Sequence, residues 1–575
     1  MPVRTPIVEF RNFSFRYKSQ SEPTLHDINL TIYKGEKVLI LGPSGSGKST
    51  LANCINGLNP FSYDGVITGS CKVAGMETKN ASIFALSKVV GTVLQDSDAQ
   101  FVGLSVGEDI AFALENQSVP RKEMLPKVEW AAGVVGMSDF LMHVPYELSG
   151  GQKQKVALAG VLHGDVDLLI FDEPLASLDP MMGMTAVELI DRIHKEQNKT
   201  VLIVEHRLED VLHRSVDRIV LMNEGSIVYD GDPDRLLASD LLTRYGIREP
   251  LYIKALQYAG CELSSEQKLA DIQTVDLSPF EEQLKKQQMM KLEKYVPRLG
   301  EEILKVENVT FAYDKDPVLK NISFSVRKGE KIAVVGKNGA GKSTLAKLLC
   351  GIVRPREGRV LINGTDYTQY SIKEIGERIG YVMQNPNQML VKDIIKDEVE
   401  LAMLLRGKSR AEIDEAVKKT LKMCGLYPMR NWPVSAVSYG QKKRATIASI
   451  LVLQPEIIIL DEPTAGQDFR HYTEIMEFLD ELNREYGITI LFVTHDMHLA
   501  IQYTDRALVF SEGELVADDS VFRVLSNDEV ITKANLKQTS LYTLARRLGF
   551  EPEAYIEHFI NYERMVRVHG KQAAD

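Results

Sequence analysis

The sequence predicts an α/β protein built from two copies of one domain. Three observations carry this. Short, continuous apolar runs alternate with helical patterns, the signature of strands buried on both faces of a sheet. One glycine-rich loop occurs twice, each time between an apolar run and a helical pattern. The residues that follow the loops recur at a constant offset: Gln95, Ser149, Glu173 and His206 match Gln384, Ser438, Glu462 and His495, each 289 positions later.

The first loop reads Gly42-Pro43-Ser44-Gly45-Ser46-Gly47-Lys48-Ser49-Thr50. The apolar run Val38-Leu39-Ile40-Leu41 precedes it, and Leu51, Ala52 and Ile55 follow at helical spacing. The second reads Gly336-Lys337-Asn338-Gly339-Ala340-Gly341-Lys342-Ser343-Thr344, between Ile332-Ala333-Val334-Val335 and Leu345, Ala346 and Leu349. Both fit G-x-x-x-x-G-K-[ST]. Glycines let such a backbone curl so that its N–H groups face phosphate oxygens. The lysine adds a positive charge at the β/γ-phosphates, and the hydroxyl of Ser49 or Ser343 suits Mg²⁺. The loops are 294 positions apart, so the first copy carries five extra residues before Gln95. The turn-rich stretch Asn59-Pro60-Phe61-Ser62-Tyr63-Asp64-Gly65 is the expected site.

Each copy also has an apolar strand that ends in two acids: Leu168-Leu169-Ile170-Phe171-Asp172-Glu173 and Ile457-Ile458-Ile459-Leu460-Asp461-Glu462. Adjacent carboxylates at a phosphate loop suit Mg²⁺ and water chemistry. Asp172 and Asp461 are expected to hold the metal shell, and Glu173 and Glu462 to orient or deprotonate the attacking water.

The bulk numbers agree with a globular protein of several domains. The chain has 575 residues, 44% hydrophobic and 26% charged. A formal net charge of -11 argues against nucleic acid as partner. The five cysteines are scattered with no C-x-x-C pair, which suits a reduced chain without structural zinc. No apolar run reaches membrane-spanning length, and Met1-Pro2-Val3-Arg4-Thr5-Pro6 is no signal peptide, so a membrane role is expected only through partners. The expected domains are 7–246 and 303–540. Residues 247–302 are expected as a linker with a solvated helix around Glu281-Glu282-Gln283-Leu284-Lys285-Lys286, and 541–575 as a helical tail.

Leu148-Ser149-Gly150-Gly151-Gln152 precedes a helical stretch and resembles the signature motif of ATP-binding cassette (ABC) ATPases. The second copy, Val437-Ser438-Tyr439-Gly440-Gln441, departs from it with a tyrosine in place of the first glycine. A bulky residue there is expected to conflict with glycine-only backbone angles. The resemblance covers both copies. It implies two tandem P-loop ABC ATPase domains, each a RecA-like core with a helical subdomain, binding ATP and Mg²⁺. It implies that Gln95 and Gln384 are Q-loop glutamines that act in catalysis and complete the metal shell. It implies that His206 and His495 are switch histidines at the γ-phosphate. Tyr17 and Tyr313, each in a Phe-x-Tyr pattern, would stack on adenine. The signature residues Ser149, Gly150, Gly151 and Gln152 of one copy, and Ser438, Gly440 and Gln441 of the other, would each complete the other copy's ATP site.

The segment Gln95-Asp96-Ser97-Asp98-Ala99-Gln100-Phe101, then Val106-Gly107-Glu108-Asp109-Ile110-Ala111-Phe112, is similar to the energy-coupling factor (ECF) group. That likeness implies a fused ATPase pair driving uptake of a vitamin or metal ion. Its partners would be a transmembrane coupling (T) subunit and a substrate-binding membrane (S) subunit, and its place the cytoplasmic face of the cell membrane. Asp96, Asp98, Gln100, Asn387 and Gln388, ahead of the apolar Phe101 and Leu390, are expected to form the docking groove beside the Q-loop, so that charge reversal at Asp98 and Asp109 would weaken docking. The rival readings are a fused sugar-importer ATPase and a soluble ABC-F ATPase acting on the ribosome. The short, mixed linker and acidic chain speak against the latter.

Overall fold

The computed structural model describes residues 4–94, 100–162, 166–176, 178–297 and 299–572. The chain divides into two compact units, 1–284 and 285–575.

Among its described residues the first unit contains ten strands. Strands β1 (Pro6–Tyr17), β2 (Leu25–Tyr33), β4 (Gly65–Val73) and β5 (Met76–Glu77) form an antiparallel sheet in the order β2-β1-β4-β5. Strands β3 (Lys37–Leu41), β6 (Val90–Val93), β7 (Leu168–Asp172), β8 (Thr200–Val204), β9 (Arg218–Asn223) and β10 (Ser226–Gly231) form a second sheet, ordered β10-β9-β3-β8-β7-β6. Only β10 runs antiparallel in it. The central strands β3, β7 and β8 are buried at every position, which is why they read as unbroken apolar runs.

The second unit repeats the plan. Strands β11 (Glu302–Phe311), β12 (Leu319–Arg327), β14 (Glu357–Ile362) and β15 (Thr365–Asp366) pair as β12-β11-β14-β15. Strands β13 (Lys331–Gly336), β16 (Ile379–Val382), β17 (Ile457–Asp461), β18 (Thr489–Val493), β19 (Arg506–Ser511) and β20 (Glu514–Ser520) lie in the order β16-β17-β18-β13-β19-β20. The pleat of β17 shows how both faces are used. Ile457 and Ile459 join a core with the antiparallel sheet and the helix Lys342–Leu349. Ile458 and Leu460 join a second core with the helices Ile395–Leu404, Arg410–Met423, Tyr439–Leu451 and Phe469–Tyr486.

The segment expected as a linker is folded instead. The helix Leu251–Tyr258 buries Leu251, Tyr252, Ile253, Ala255 and Leu256. The Leu251 amide donates to Glu209 (3.1 Å) and the Ala270 amide to Asp234 (2.6 Å), which ties the segment to the first unit. The polar helix Glu281–Gln288 is solvated as its composition implies, except at Leu284 and Gln287, which are buried. The tail is likewise part of the second unit. Its helix Pro552–Gln572 buries Tyr555, Ile556, Phe559 and Ile560 and packs on the helices Val521–Ser526 and Ser540–Arg547. Arg567 stacks over Tyr503 at 4.0 Å and pairs with Glu477 at 3.2 Å, and Arg564 lies 4.1 Å over Tyr295. Among the described residues no helix is long and apolar enough to cross a membrane.

Candidate functional site

Both phosphate loops join the central strand, β3 or β13, to a helix: Lys48–Asn56 in the first unit, Lys342–Leu349 in the second. Gly47 and Gly341 hold φ near +97° and +99°. A Cβ on Gly47 would lie 2.8 Å from Leu25 Cδ2, and one on Gly341 2.9 Å from Leu319 Cδ2, so both angle and space demand glycine. No side chain caps either helix, unlike the Ser- and Asp-capped helices nearby, and an uncapped N-terminus directs N–H dipoles toward an anion. The ammonium of Lys48 donates to the carbonyls of Gly42 (2.9 Å) and Pro43 (2.8 Å). Lys342 does the same with Gly336 (2.8 Å) and Lys337 (3.0 Å).

The acidic pairs end β7 and β17, beside these loops. Ser49 Oγ donates to Asp172 Oδ1 at 3.0 Å. Burial, reinforced by Glu173 and opposed by the Ser49 hydrogen bond, pushes the Asp172 carboxyl up to about 6. Asp461 is raised by burial in the same way, against hydrogen bonds from Tyr381 (2.7 Å) and Ser343. A buried carboxylate next to a hydroxyl is an oxygen donor set that a hard divalent cation suits, and Mg²⁺ fits here. Glu173 and Glu462 take φ of +49° and +43°, left-handed angles that cost a residue with a Cβ about 1–3 kcal/mol and concentrate at functional sites.

Each glutamate faces a histidine from the next strand. Nδ1 of His495 and Oε1 of Glu462 are 2.8 Å apart, and Thr494 Oγ1 donates to Glu462 Oε2 at 3.4 Å. In the first unit Nδ1 of His206 is 3.8 Å from Glu173 and 3.4 Å from Glu205, which stands where the second unit has Thr494. Burial raises Glu173, but nearby His206, followed by Lys48 and Arg207, outweighs it and leaves a net lowering.

The structure gathers the loop, the acidic pair and the histidine within each unit. Gln95, Asp96 and Asp98 lie outside the described residues. Gln384 follows β16, and its backbone carbonyl accepts a 2.6 Å hydrogen bond from Lys443. Tyr17 lies edge-on to Phe15, its hydroxyl 3.1 Å from Thr50 Oγ1, and is half-buried, whereas Tyr313 is 58% exposed.

One expectation changes. Tyr439 is the first residue of the helix Tyr439–Leu451 and has no positive φ, and neither has Gly150 at the start of Gly150–Leu162. That turn therefore needs no glycine, and the capping box between Ser438 and Gln441 forms with tyrosine present. Asp109 has a structural part as well: Oδ1 accepts the amides of Val102 (2.8 Å) and Gly103 (3.1 Å) and fixes its own loop. Glu398 repeats this with Val391 and Lys392, both 2.8 Å. Sequence reasoning also passed over Lys443 and Tyr381. The 289-residue offset sets Lys443 against Gln154 and Tyr381 against Thr92, and that contrast was the available signal.

Comparisons with known proteins agree with this geometry. The family described as ABC transporter matches residues 25–176 and 319–465, and one described as ATP-binding cassette cobalt transporter matches 239–311. A chain of Clostridium perfringens, named for ABC transporter ATP binding, is 55% identical over 566 residues, 98% of this chain and 100% of its own. One of Enterococcus faecalis with the same kind of name is 55% identical over 572 residues, again 98% and 100%. The solved structure of CbiO1 from Clostridium perfringens, described as part of the ABC transporter complex CbiONQ, is 36% identical over 43% of this chain and 98% of that one, with a TM-score of 0.38. Two matched ATPase segments in one polypeptide, each holding a phosphate loop and an acidic pair, place this chain in the ABC transporter family as a tandem fused ATPase, an ATP hydrolase coupled to transport.

Proposed function

We propose that the chain powers an ECF-type importer, hydrolysing ATP to drive uptake of a vitamin or metal ion through T and S membrane subunits on the cytoplasmic face of the cell membrane. The observation that carries the hydrolytic part is the Glu–His pair beside each phosphate loop, with both glutamates in left-handed backbone. Lys48 and Lys342 bind the β/γ-phosphates, with the loop amides around them. Ser49 with Asp172, and Ser343 with Asp461, would hold Mg²⁺, which neutralises phosphate oxygens when bound. Glu173 and Glu462 orient and deprotonate water. His206 and His495 position those carboxylates and contact the γ-phosphate. Tyr17 and Tyr313 stack on adenine. The match to a cobalt transporter family across 239–311 favours a metal ion as cargo. Exposed Leu104 and Val391, whose amides are held by Glu108 and Glu398, supply apolar surface beside the Q-loop for a membrane subunit's helix.

The test is the double variant Glu173→Gln with Glu462→Gln, expressed with its membrane partners. Loss of a general base costs about 10²–10⁴ in rate. Hydrolysis and uptake should fall by that range while ATP binding persists and the chain still co-purifies from detergent-solubilised membranes. Undiminished hydrolysis would show the base is misassigned. Co-sedimentation with ribosomes in place of membrane subunits would favour the soluble ABC-F reading.

A further inference from the structure

Lys443 is 1% exposed, on the second turn of the signature helix Tyr439–Leu451. An ammonium so buried is costly unless its donors are used. Here they reach the Q-loop. Nζ donates to the carbonyls of Met383 (2.9 Å) and Gln384 (2.6 Å), where the chain leaves β16. The carboxylates of Asp461 and Glu462 supply the opposing charge.

The first unit solves the same problem differently. Gln154 occupies the matching position and lines a small cavity with Gly151, Phe171 and Met182. Its Q-loop entry is held from within the loop: Gln100 Oε1 accepts the Leu94 amide (2.9 Å) and Nε2 donates to the Thr92 carbonyl (3.2 Å). The second unit has Met389 where the first has Gln100, and Met389 offers only its sulfur, 3.2 Å from the Met383 amide. One loop is therefore fastened to itself and the other to the signature helix.

We propose that Lys443 is a positioning residue for Gln384, binding the Q-loop backbone to the signature helix so that the two shift together in the second unit. This rests on the reading of Gln384 as part of an ATP site. A structural lysine would stabilise the whole subdomain. A positioning lysine acts on residues 383–390.

The test uses the full-length chain carrying Glu173→Gln, so that hydrolysis reports the second unit. Lys443→Gln, which installs the first unit's residue, is compared with Lys443→Arg, which keeps charge and donors. In Lys443→Gln, amide hydrogen exchange at 383–390 should quicken roughly tenfold or more while 336–344 stays protected. Turnover should fall roughly ten- to hundredfold with the KM for ATP little changed, the mark of a displaced catalytic group. Lys443→Arg should recover most of both. Unchanged exchange at 383–390, a loss of protection spread over the whole second unit, or an arginine variant as mobile as the glutamine one would each overturn the proposal. Hydrolysis that survives Glu462→Gln in the same background would instead overturn the reading of the site, and the exchange data would still judge the tie.

Discussion

Glu173 and Glu462 share their backbone strain but not their neighbours. His495 sits within hydrogen-bond distance of Glu462, and Thr494 supports the other oxygen. His206 stands between two carboxylates, Glu173 and the buried Glu205, and is closer to the second. A histidine drawn toward Glu205 holds the catalytic carboxylate less firmly, and positioning of this kind is worth orders of magnitude in rate. Glu462→Gln alone should therefore remove more than half of the steady-state ATPase of the assembled transporter, and Glu173→Gln alone less than half. Equal losses would show that the two pairs tighten to the same geometry on binding ATP. Tyr439 adds nothing to this asymmetry through backbone angles, because its turn is helical. At this scale the sequence was legible wherever a residue type is dictated by one chemistry: the loop glycines, the lysines, the acidic pairs. It was opaque wherever function lies in a contact. Nothing in a string of letters says that Lys443 reaches back across the fold to the Q-loop carbonyls, or that Asp109 fixes its own loop.

At the scale of elements, the apolar strands were legible because burial on both faces leaves no alternation to misread. The connecting segments were not, because their composition averages over buried and exposed faces. Glu281–Gln288 is polar enough to pass for a free linker, yet Leu284 is fully buried. The helix Pro552–Gln572 shows how much such a segment contributes. Arg567 donates to the Gln502 carbonyl (2.5 Å), pairs with Glu477 and stacks on Tyr503. Removing one partner of a largely buried ion pair typically costs about 3–5 kcal/mol. Arg567→Met should lower the stability of the second unit by a large part of that amount and leave the first unit's transition in place. Denaturant unfolding followed by unit-specific hydrogen exchange would measure it. Equal movement of both transitions, or none, would remove the helix from the second unit's stability.

At the scale of the molecule, the boundary matters most. The chain parts between Leu284 and Lys285, well beyond the expected end of the first domain near residue 246. A fragment 1–284 should fold cooperatively and bind ATP. A fragment 1–246 should be markedly less stable, because it loses the apolar face of Leu251–Tyr258 and exposes what that face covers. Burial of a Leu- or Ile-sized side chain is worth about 1.5–3 kcal/mol, and several are lost together. Circular dichroism and thermal melts of the two fragments would decide, and equal melting temperatures would refute the boundary. The packing of 552–572 on the second unit also sets an order of events during synthesis. The first unit has all its parts once residue 284 has left the ribosome. The second cannot close until its final helix arrives, so its loop and strands wait, incompletely covered, for the length of a further domain. A stalled or shortened message would therefore release a folded first unit joined to an unfinished second one, a species exposed to chaperones and proteases at one end only.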